Sequence, residues 1–403
     1  MARRLFDLTR RLGRAARRAP GAVDRLEAAW AGRLGADPSA RFLITAGPRH
    51  LLLDPAGAAA LSAALDEDAL PPADLRGAFS PWRTDRQRRA DSLARRLAVA
   101  QGDDLAALLA AERGPWTYLN FAQGALDAAR LKALRAGGVT RTVAMAHDLI
   151  ALERPDLAPP SAATRLLGFL AAAELCDGLV HASPETAAVA ARQMERAVPS
   201  VIAPAGLTPL PEAPPDPEAE GGFVMVGTVE PRRNHLGMLW IWERLWRELG
   251  EAAPRLIVIG RRGAGAEMAA DLLDRAPMAG RAVFERRDLE DRDLAAHLRG
   301  ARALIAPSFA EASGLPAAEA LAAGCPAICA DLPAFRAVGG AAPDYLDPLD
   351  LPAWLEAVLA YAHPHAGGPD PRTAQLARMT AWTPPSWEAH FAAVEDLIAE
   401  IGG

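Results

Sequence analysis

The chain has only three cysteines in 403 residues, Cys176, Cys325 and Cys329, each within an apolar pattern. A count so sparse and odd excludes a disulfide-stapled scaffold and suits a reducing compartment. The Cys325–Cys329 spacing has no second ligand pair, so buried structural thiols are expected rather than a metal site. His363-Pro364-His365 lies in a Pro/Gly-rich stretch without carboxylates at ligand spacing. No metal is expected there either. No run of about 18 apolar residues occurs, which excludes a membrane-spanning helix. The amino-terminal stretch lacks an apolar signal-type segment. It is arginine-rich instead, with Arg3, Arg4, Arg10, Arg11, Arg14, Arg17 and Arg18. The net charge of −6 argues against a general nucleic-acid binder. These absences lead to the expectation of a cytoplasmic protein, with a basic cluster able to rest on the inner membrane face.

What is present is apolar surface in quantity. Hydrophobic residues make up 51% of a chain too long for one ordinary core, which suits two domains. Short apolar runs alternate with Ala/Leu-rich helical stretches, the pattern of βαβ units and parallel sheets. In the first half, strands are expected at 4–8, 41–46, 116–121, 142–146, 178–181 and 200–203. Helices fall between them, at 24–34, 125–135, 163–175 and 184–196. The second half restarts the rhythm, with strands at 223–226, 256–259, 282–284, 303–306 and 327–329. Helices are expected over 236–249 and from positions 265 and 291. Between the halves, Pro209, Pro211, Pro214, Pro215 and Pro217 mark a linker. The expected division is a Rossmann-like domain at 1–207, a linker at 208–222, a second Rossmann-like domain at 223–380 and a terminal segment at 381–403. Within that last segment, 386–401 is amphipathic, with Phe391, Val394, Leu397 and Ile398 on one face, and is expected to pack back on the first domain. Two doubly wound halves make a cleft, and ligands bind outside the carboxyl ends of such strands.

The most informative stretch is Pro307-Ser308-Phe309-Ala310-Glu311-Ala312-Ser313-Gly314-Leu315-Pro316-Ala317-Ala318-Glu319. It follows a buried-strand pattern and runs into a helix with Pro316 in its first turn, where a missing N–H costs nothing. One carboxylate, Glu311, lies in the loop; the other, Glu319, lies one turn inside the helix. Free N–H groups at a helix start attract phosphate. Carboxylates accept hydrogen bonds from hydroxyls. Phosphate and hydroxyls together describe a nucleotide sugar. Either glutamate alone would also serve as a plain dipole partner.

Three other stretches carry chemistry. The strand at 223–226 runs into Gly227-Thr228-Val229-Glu230-Pro231-Arg232-Arg233-Asn234-His235. Gly227 lets a ligand approach the backbone, Thr228 offers a hydroxyl, and two arginines offer the forked donors a diphosphate needs. The strand ending at Ala146 is followed by His147-Asp148-Leu149-Ile150, with His147 at the kind of strand end where sites form. Gly260-Arg261-Arg262-Gly263-Ala264-Gly265 invites a dinucleotide reading, but Met268 stands where a third small residue belongs. A loop near the nucleotide base is the better expectation. A second basic stretch, 82–89 with Arg95 and Arg96, suits either anionic lipid headgroups or a solvated helix face, the latter being the plainer reading.

The glutamate pair resembles the E-x7-E signature of retaining glycosyltransferases with the GT-B fold, particularly glycosyltransferase family 4. The diarginine turn is similar to that family's Gly-Thr-x-x-Pro-Arg-Lys-Asn, with Arg233 in place of lysine. His147-Asp148-Leu149-Ile150 resembles its His-Asp-Leu-Ile motif, extended by Arg154-Pro155-Asp156. Leu5-Phe6-Asp7-Leu8-Thr9 and Pro20-Gly21-Ala22-Val23-Asp24-Arg25 resemble the first strand and glycine loop on the acceptor side. One departure stands out: the family's Glu-Gly-Phe-Gly-Leu-Pro is here Glu311-Ala312-Ser313-Gly314-Leu315-Pro316.

The resemblance implies an α/β GT-B protein, two Rossmann-like doubly wound domains facing a cleft. It implies retaining, metal-independent transfer of a sugar from a nucleoside diphosphate sugar to a glycan or glycolipid hydroxyl, in polysaccharide or glycolipid synthesis. Catalytic roles fall to His147, Arg232, Arg233 and Glu311. Donor binding falls to Gly227, Thr228, Gly314, Leu315 and Glu319. Glu319 would hold ribose hydroxyls, Glu311 the donor sugar, and His147 would face that sugar. No cofactor beyond the donor substrate and no nucleic-acid partner is expected. The departure at Ala312-Ser313 motivates an alternative, a non-catalytic nucleotide-sugar-binding scaffold. A nucleotide-sugar epimerase is the other.

Overall fold

A computed structural model describes residues 2–16, 20–74, 83–363 and 370–402. Arg17, Arg18, Trp82 and His365 lie outside the described residues. The chain forms two compact units. Unit 1 comprises Met1–Leu149, Thr164–Ala205 and Trp387–Gly403; unit 2 comprises Ile150–Ala163 and Gly206–Ser386.

Unit 1 carries eight strands: β1 (Arg3–Asp7), β2 (Arg41–Ala46), β3 (Arg49–Leu53), β4 (Ala100–Gly102), β5 (Trp116–Asn120), β6 (Val139–Ala146), β7 (Gly178–His181) and β8 (Ser200–Ile202). Their order is β4-β3-β2-β1-β5-β6-β7-β8. The five pairings from β2 to β8 through β1 are parallel; β3 and β4 add antiparallel strands at one edge. These two strands were not expected from sequence. The hairpin that creates β3 turns at Gly47-Pro48, where Gly47 supplies φ +63°. The core gathers Phe6, Trp30, Phe42 and Phe121, with Trp30 and Phe121 edge-to-face at 5.0 Å. Helix Trp387–Glu400 closes over this core through Val394, Leu397 and Ile398. Buried Trp30 donates its Nε1–H to His390 Nε2 at 2.9 Å.

Unit 2 carries β9 (Phe223–Val226), β10 (Leu256–Ile259), β11 (Val283–Arg286), β12 (Ala303–Ala306), β13 (Ala327–Ala330) and β14 (Asp344–Leu346). Their order is β11-β10-β9-β12-β13-β14, and every pairing is parallel. β10, β12 and β13 are buried along their whole length, so they read as continuous apolar runs. Phe223 and Trp242 meet edge-to-face at 5.8 Å within the core.

The division differs from the expected one: unit 2 runs over Gly206–Ser386, so it takes in 206–207, the expected linker and 381–386. Residues 150–163 group with unit 2. The Pro-rich segment is not a free linker but lies along helix Asp291–Gly300 of unit 2. Asp216 N–H donates to Ala296 O at 2.9 Å, and Arg299 Nη1 donates to Ala213 O at 2.7 Å. Proline removes donors from this segment, but its remaining N–H and C=O groups still find partners.

Several arginines of the basic stretch of unit 1 are half-buried and bonded to neighbouring chain. On helix Asp85–Leu97, Arg95 bonds Asp74 at 2.7 Å, Arg86 bonds Asp68 and the Ala15 carbonyl, and Arg89 and Arg96 reach the carbonyls of Pro71 and Pro72. Arg83 pairs with Asp91 at 3.3 Å. The charges that suggested a lipid surface tie down neighbouring chain instead. Among the described residues no helix is long and apolar enough to cross a membrane. Cys176, Cys325 and Cys329 are free and buried.

One buried acid makes stability pH-dependent. Glu27, on helix Ala22–Leu34, is fully buried, and burial pushes its carboxyl up to about 8 despite Arg10 at 3.0 Å. A raised carboxyl favours the protonated fold. Its contribution is full below the ordinary value of 4.5 and is lost as pH rises towards about 8. Glu27→Gln should therefore flatten the fall in melting temperature between those pH values and raise it at the upper end. Calorimetric melting across that range checks this, and an unaltered slope would contradict it.

Candidate functional site

In unit 2 the strand order reverses between β9 and β12, which lie side by side through Ala303↔Phe223 and Leu304↔Val224. The loops leaving the carboxyl ends of these two strands diverge there, the place where open parallel sheets bind ligands. One loop carries Gly227, Thr228, Arg232 and Arg233. The other carries Glu311 and Gly314 and leads to Leu315 and Glu319.

After β9 the chain makes a single 3-10 turn, Pro231–Arg233. It then passes through Asn234 in the left-handed region, φ +55°, into helix His235–Leu249. Asparagine tolerates that conformation better than other residues with a Cβ. The Arg232 carbonyl accepts from Phe309 N–H at 2.8 Å, which stitches the two loops together. Arg232 Nε donates to Glu230 at 2.6 Å. The Arg233 guanidinium lies against Gly227: a Cβ there would stand 3.2 Å from its Cζ and Nε. Its Nε is buried and makes no hydrogen bond among the described residues.

Arg233 and Glu311, 78 residues apart in sequence, form an ion pair with Nη1 donating to Oε2 at 2.6 Å. The other carboxylate oxygen, Oε1, accepts from the N–H groups of Ala312 at 3.1 Å and Ser313 at 3.3 Å. The Glu311 side chain is only 2% exposed. Burial alone would raise its carboxyl. Arg233 and Arg232, with the two N–H donors, outweigh that and hold it below the ordinary range. Glu311 is a buried carboxylate.

Helix Leu315–Ala322 starts from Gly314 at φ +62°, with Pro316 at its second position. A Cβ at Gly314 would lie 2.7 Å from Ala334 O and from Val338 Cγ2, so position 314 excludes a side chain by space as well as by φ. Leu315 N–H makes only a long 3.4 Å contact to Ser313 Oγ. Glu319 lies inside this helix, 5% exposed, among buried alanines.

The loop after β10 supplies what sequence reading missed. A Cβ at Gly260 would lie 1.9 Å from Gly227 O, and one at Gly263 2.7 Å from Thr228 Cγ2. The glycines of 260–265 therefore serve close packing under the 227–231 loop rather than a dinucleotide. Arg262 is held by Asp274 at 2.7 Å and Glu285 at 3.0 Å.

His147 belongs to unit 1, just past the end of β6. Its Nε2–H donates to the Phe121 carbonyl at 2.5 Å. Its backbone N–H and that of Asp148 both donate to Gln123 Oε1, at 2.8 and 3.1 Å. Gln123, absent from the sequence expectations, thus fixes this loop, and its own positive φ of 51° gave no sequence signal. Burial lowers the His147 imidazole to about 4; the Phe121 bond opposes this and Arg10 adds to it. The ring is neutral at neutral pH, with Nδ1 left as an acceptor.

Comparison with known proteins bears on both units. The trehalose-phosphate synthase (UDP-forming) of Burkholderia vietnamiensis superposes with a TM-score of 0.57, covering 100% of this chain and 98% of that one at 14% identity. Sucrose-phosphate synthase of Thermosynechococcus elongatus gives 0.53 over 71% and 73%, at 20% identity. The fold is GT-B. Within this GT-B chain, residues 220–363 match the family model described as glycosyl transferases group 1. That stretch lies wholly in unit 2 and contains both loops at the switch point. The serotype-specific mannosyltransferase WbdA of Escherichia coli is 34% identical over 120 residues, 30% of this chain and 14% of that protein. The O-antigen chain mannosyltransferase B of Escherichia coli is 33% identical over 134 residues, 33% of this chain and 35% of that protein. The aligned stretches therefore span between 14% and 35% of these relatives' lengths.

Proposed function

We propose that this protein is a glycosyltransferase that moves a sugar from a nucleoside diphosphate sugar to an acceptor hydroxyl in polysaccharide synthesis, retaining the anomeric configuration and needing no metal ion. The observation that carries this reading is the meeting of the 227–233 loop with Glu311 and the start of helix Leu315–Ala322 at the strand switch point. The match of residues 220–363 to glycosyl transferases group 1 supports it, as do relatives named mannosyltransferases.

The chemistry follows from the site. As the sugar–phosphate bond breaks, negative charge grows on the diphosphate. Arg232, Arg233 and the N–H groups around Gly314 and Leu315 are fixed beforehand to receive that charge. Gly227 lets the diphosphate approach the backbone, and the Thr228 hydroxyl is a further donor. The departing phosphate takes the acceptor proton on the same face, so no separate nucleophile and base are required. Glu319 holds the ribose hydroxyls. His147 contributes a neutral imidazole rather than a charge. A glycan or glycolipid supplies the acceptor hydroxyl. The setting is cytoplasmic, consistent with three free thiols. Membrane contact is no part of the proposal, because the arginines of helix Asp85–Leu97 are largely spent on internal partners.

Thermal-shift screening against UDP-, GDP- and ADP-sugars, mannosyl forms included, tests the donor class. A ligand at 100 times its Kd stabilises by about 2.7 kcal/mol. Glu319→Ala should abolish most of that shift, each shift being read against the variant's own unliganded melting point, which falls because the side chain is buried. Stabilisation without release of nucleoside diphosphate under any acceptor would favour a binding scaffold. Transfer should also persist in EDTA; loss in EDTA with recovery on adding manganese would overturn metal independence.

A further inference from the structure

Helix His235–Leu249 carries three tryptophans with different fates. Trp242 is fully buried, and its indole N–H donates to the Pro254 carbonyl at 2.7 Å. Trp246 is half-buried and meets the Arg281 guanidinium at 5.7 Å. Trp240 has neither task. It is 46% exposed, and among the described residues no hydrogen bond or ring contact engages it. Trp240 instead lines an open groove of about 340 Å³ between this helix and helix Glu267–Arg275 of unit 2. Leu236, Met268 and Leu272 supply the rest of its apolar lining, and Asp271 and Arg275 its charged part. Small-molecule sites start at about 300 Å³ and combine apolar and aromatic walls with a few placed polar groups. Both helices leave loops of the candidate site. Leu236 follows Arg233 by three residues, and Met268 follows Gly265 by three. A Cβ at Gly265 would meet Pro231 at 2.9 Å, so the two loops are packed together where the groove begins.

The lining selects the occupant. Asp271 and Arg275 pair at 2.7 Å with side chains 63% and 72% exposed. So exposed a pair adds little to stability, and it can turn to a ligand at small cost. The carboxylate only accepts hydrogen bonds and the guanidinium only donates them. Together they match hydroxyl groups, which do both. Their opposite charges leave no net charge to draw a phosphate or a peptide of one sign. The indole offers a flat, electron-rich face to polarised C–H groups. A ring with C–H groups on its faces and hydroxyls around its edge is a pyranose. A second copy of this chain fits less well. A stable dimer buries about 800 Å² per partner around an apolar centre. Beyond Trp240 the outer face of the helix continues with exposed Arg244, Arg247 and Glu248.

We propose that this groove of unit 2 binds a neutral hexose ring of a glycan, stacked on Trp240 with its hydroxyls on Asp271 and Arg275, outside the loops at the strand switch point. The choice of a glycan rests on the transferase reading given above and deepens it. A polymer held here stays beside the donor loops between rounds of transfer.

The test uses α-mannotetraose, maltotetraose and cellotetraose, with saturation-transfer NMR and calorimetry on the full chain. Wild type is compared with Trp240→Phe, Trp240→Ala and Asp271→Asn. At least one tetrasaccharide is expected to bind wild type, with saturation strongest on the ring C–H groups of one hexose. Trp240→Ala lowers that affinity about tenfold, the scale of one ring contact. Trp240→Phe keeps most of it, and Asp271→Asn loses several-fold. Thermal shifts with nucleotide sugars stay as in wild type in all three variants. Wild type binding none of the three glycans would overturn the proposal, as would unchanged glycan affinity in Trp240→Ala. So would loss of the nucleotide shift together with the glycan, which would put Trp240 in the donor site. A wild-type dimer that dissociates in Trp240→Ala on sedimentation would give the groove to a second copy instead. If Trp240→Ala does not fold, Asp271→Asn combined with Arg275→Gln, both exposed, is read by the same criteria. Glycan binding through Trp240 without any nucleotide-sugar shift in wild type would leave the groove standing and sink the transferase reading.

Discussion

Replacing Arg233 with glutamine is expected to lower the rate of sugar transfer by about 10²–10³-fold, the usual loss when one preorganised donor is removed from developing negative charge. Arg233 sits within hydrogen-bonding distance of Glu311, at 2.6 Å, and against Gly227, in the loop that leaves β9 at the switch point. Its donors are most useful when the leaving diphosphate carries most charge, so kcat should fall more than KM rises. The substitution also strips a buried carboxylate of its counter-charge. Uncompensated, such a break costs roughly 3–5 kcal/mol. Here the two N–H groups on Oε1 soften it, so a lower melting point without unfolding is expected. Steady-state kinetics together with melting curves separate the two effects. A rate within tenfold of wild type in a folded variant would remove Arg233 from catalysis.

The second large effect is expected at a residue that touches no substrate. Gly260→Ala would place a Cβ 1.9 Å from the Gly227 carbonyl oxygen, far inside contact distance, at φ +153°. The atom in the way is backbone, so no side chain can swing aside. The loop after β10 must move, and the loop carrying Gly227 with it. Overpacking costs typically 1–3 kcal/mol, occasionally more, and here the strain falls on the loop that bears Arg232 and Arg233. The expectation is a melting point lowered by several degrees and nucleotide affinity reduced at least tenfold, measured by calorimetry. Wild-type affinity in the variant would show that the two loops move independently.

Legibility in the sequence followed burial and distance along the chain. β9, β10 and β12 begin and end where their apolar runs do, because strands buried on both faces leave no polar alternation to confuse the reading. β4 and β14 span three residues each and carry no such run, and neither was expected. The Pro-rich segment misled for a physical reason: proline content reports a lack of helix and sheet, not a lack of docking partners. At the site, each loop was recognisable alone. Their joining by Arg233 and Glu311 was not, because an ion pair between residues 78 apart leaves no mark in either motif. The role first given to Glu311, holding sugar hydroxyls, came from resemblance.

Helix Trp387–Glu400 has a consequence for how the protein comes to be. It completes the core around Trp30, yet it leaves the ribosome only after every strand of unit 2 has been made. Unit 2 is nearly contiguous in sequence and can close upon itself as it emerges. Unit 1 must wait, with Trp30 and its neighbours unsealed, through the synthesis of about half the chain. The half begun first is thus the half finished last, and that interval is when the nascent protein most needs a chaperone.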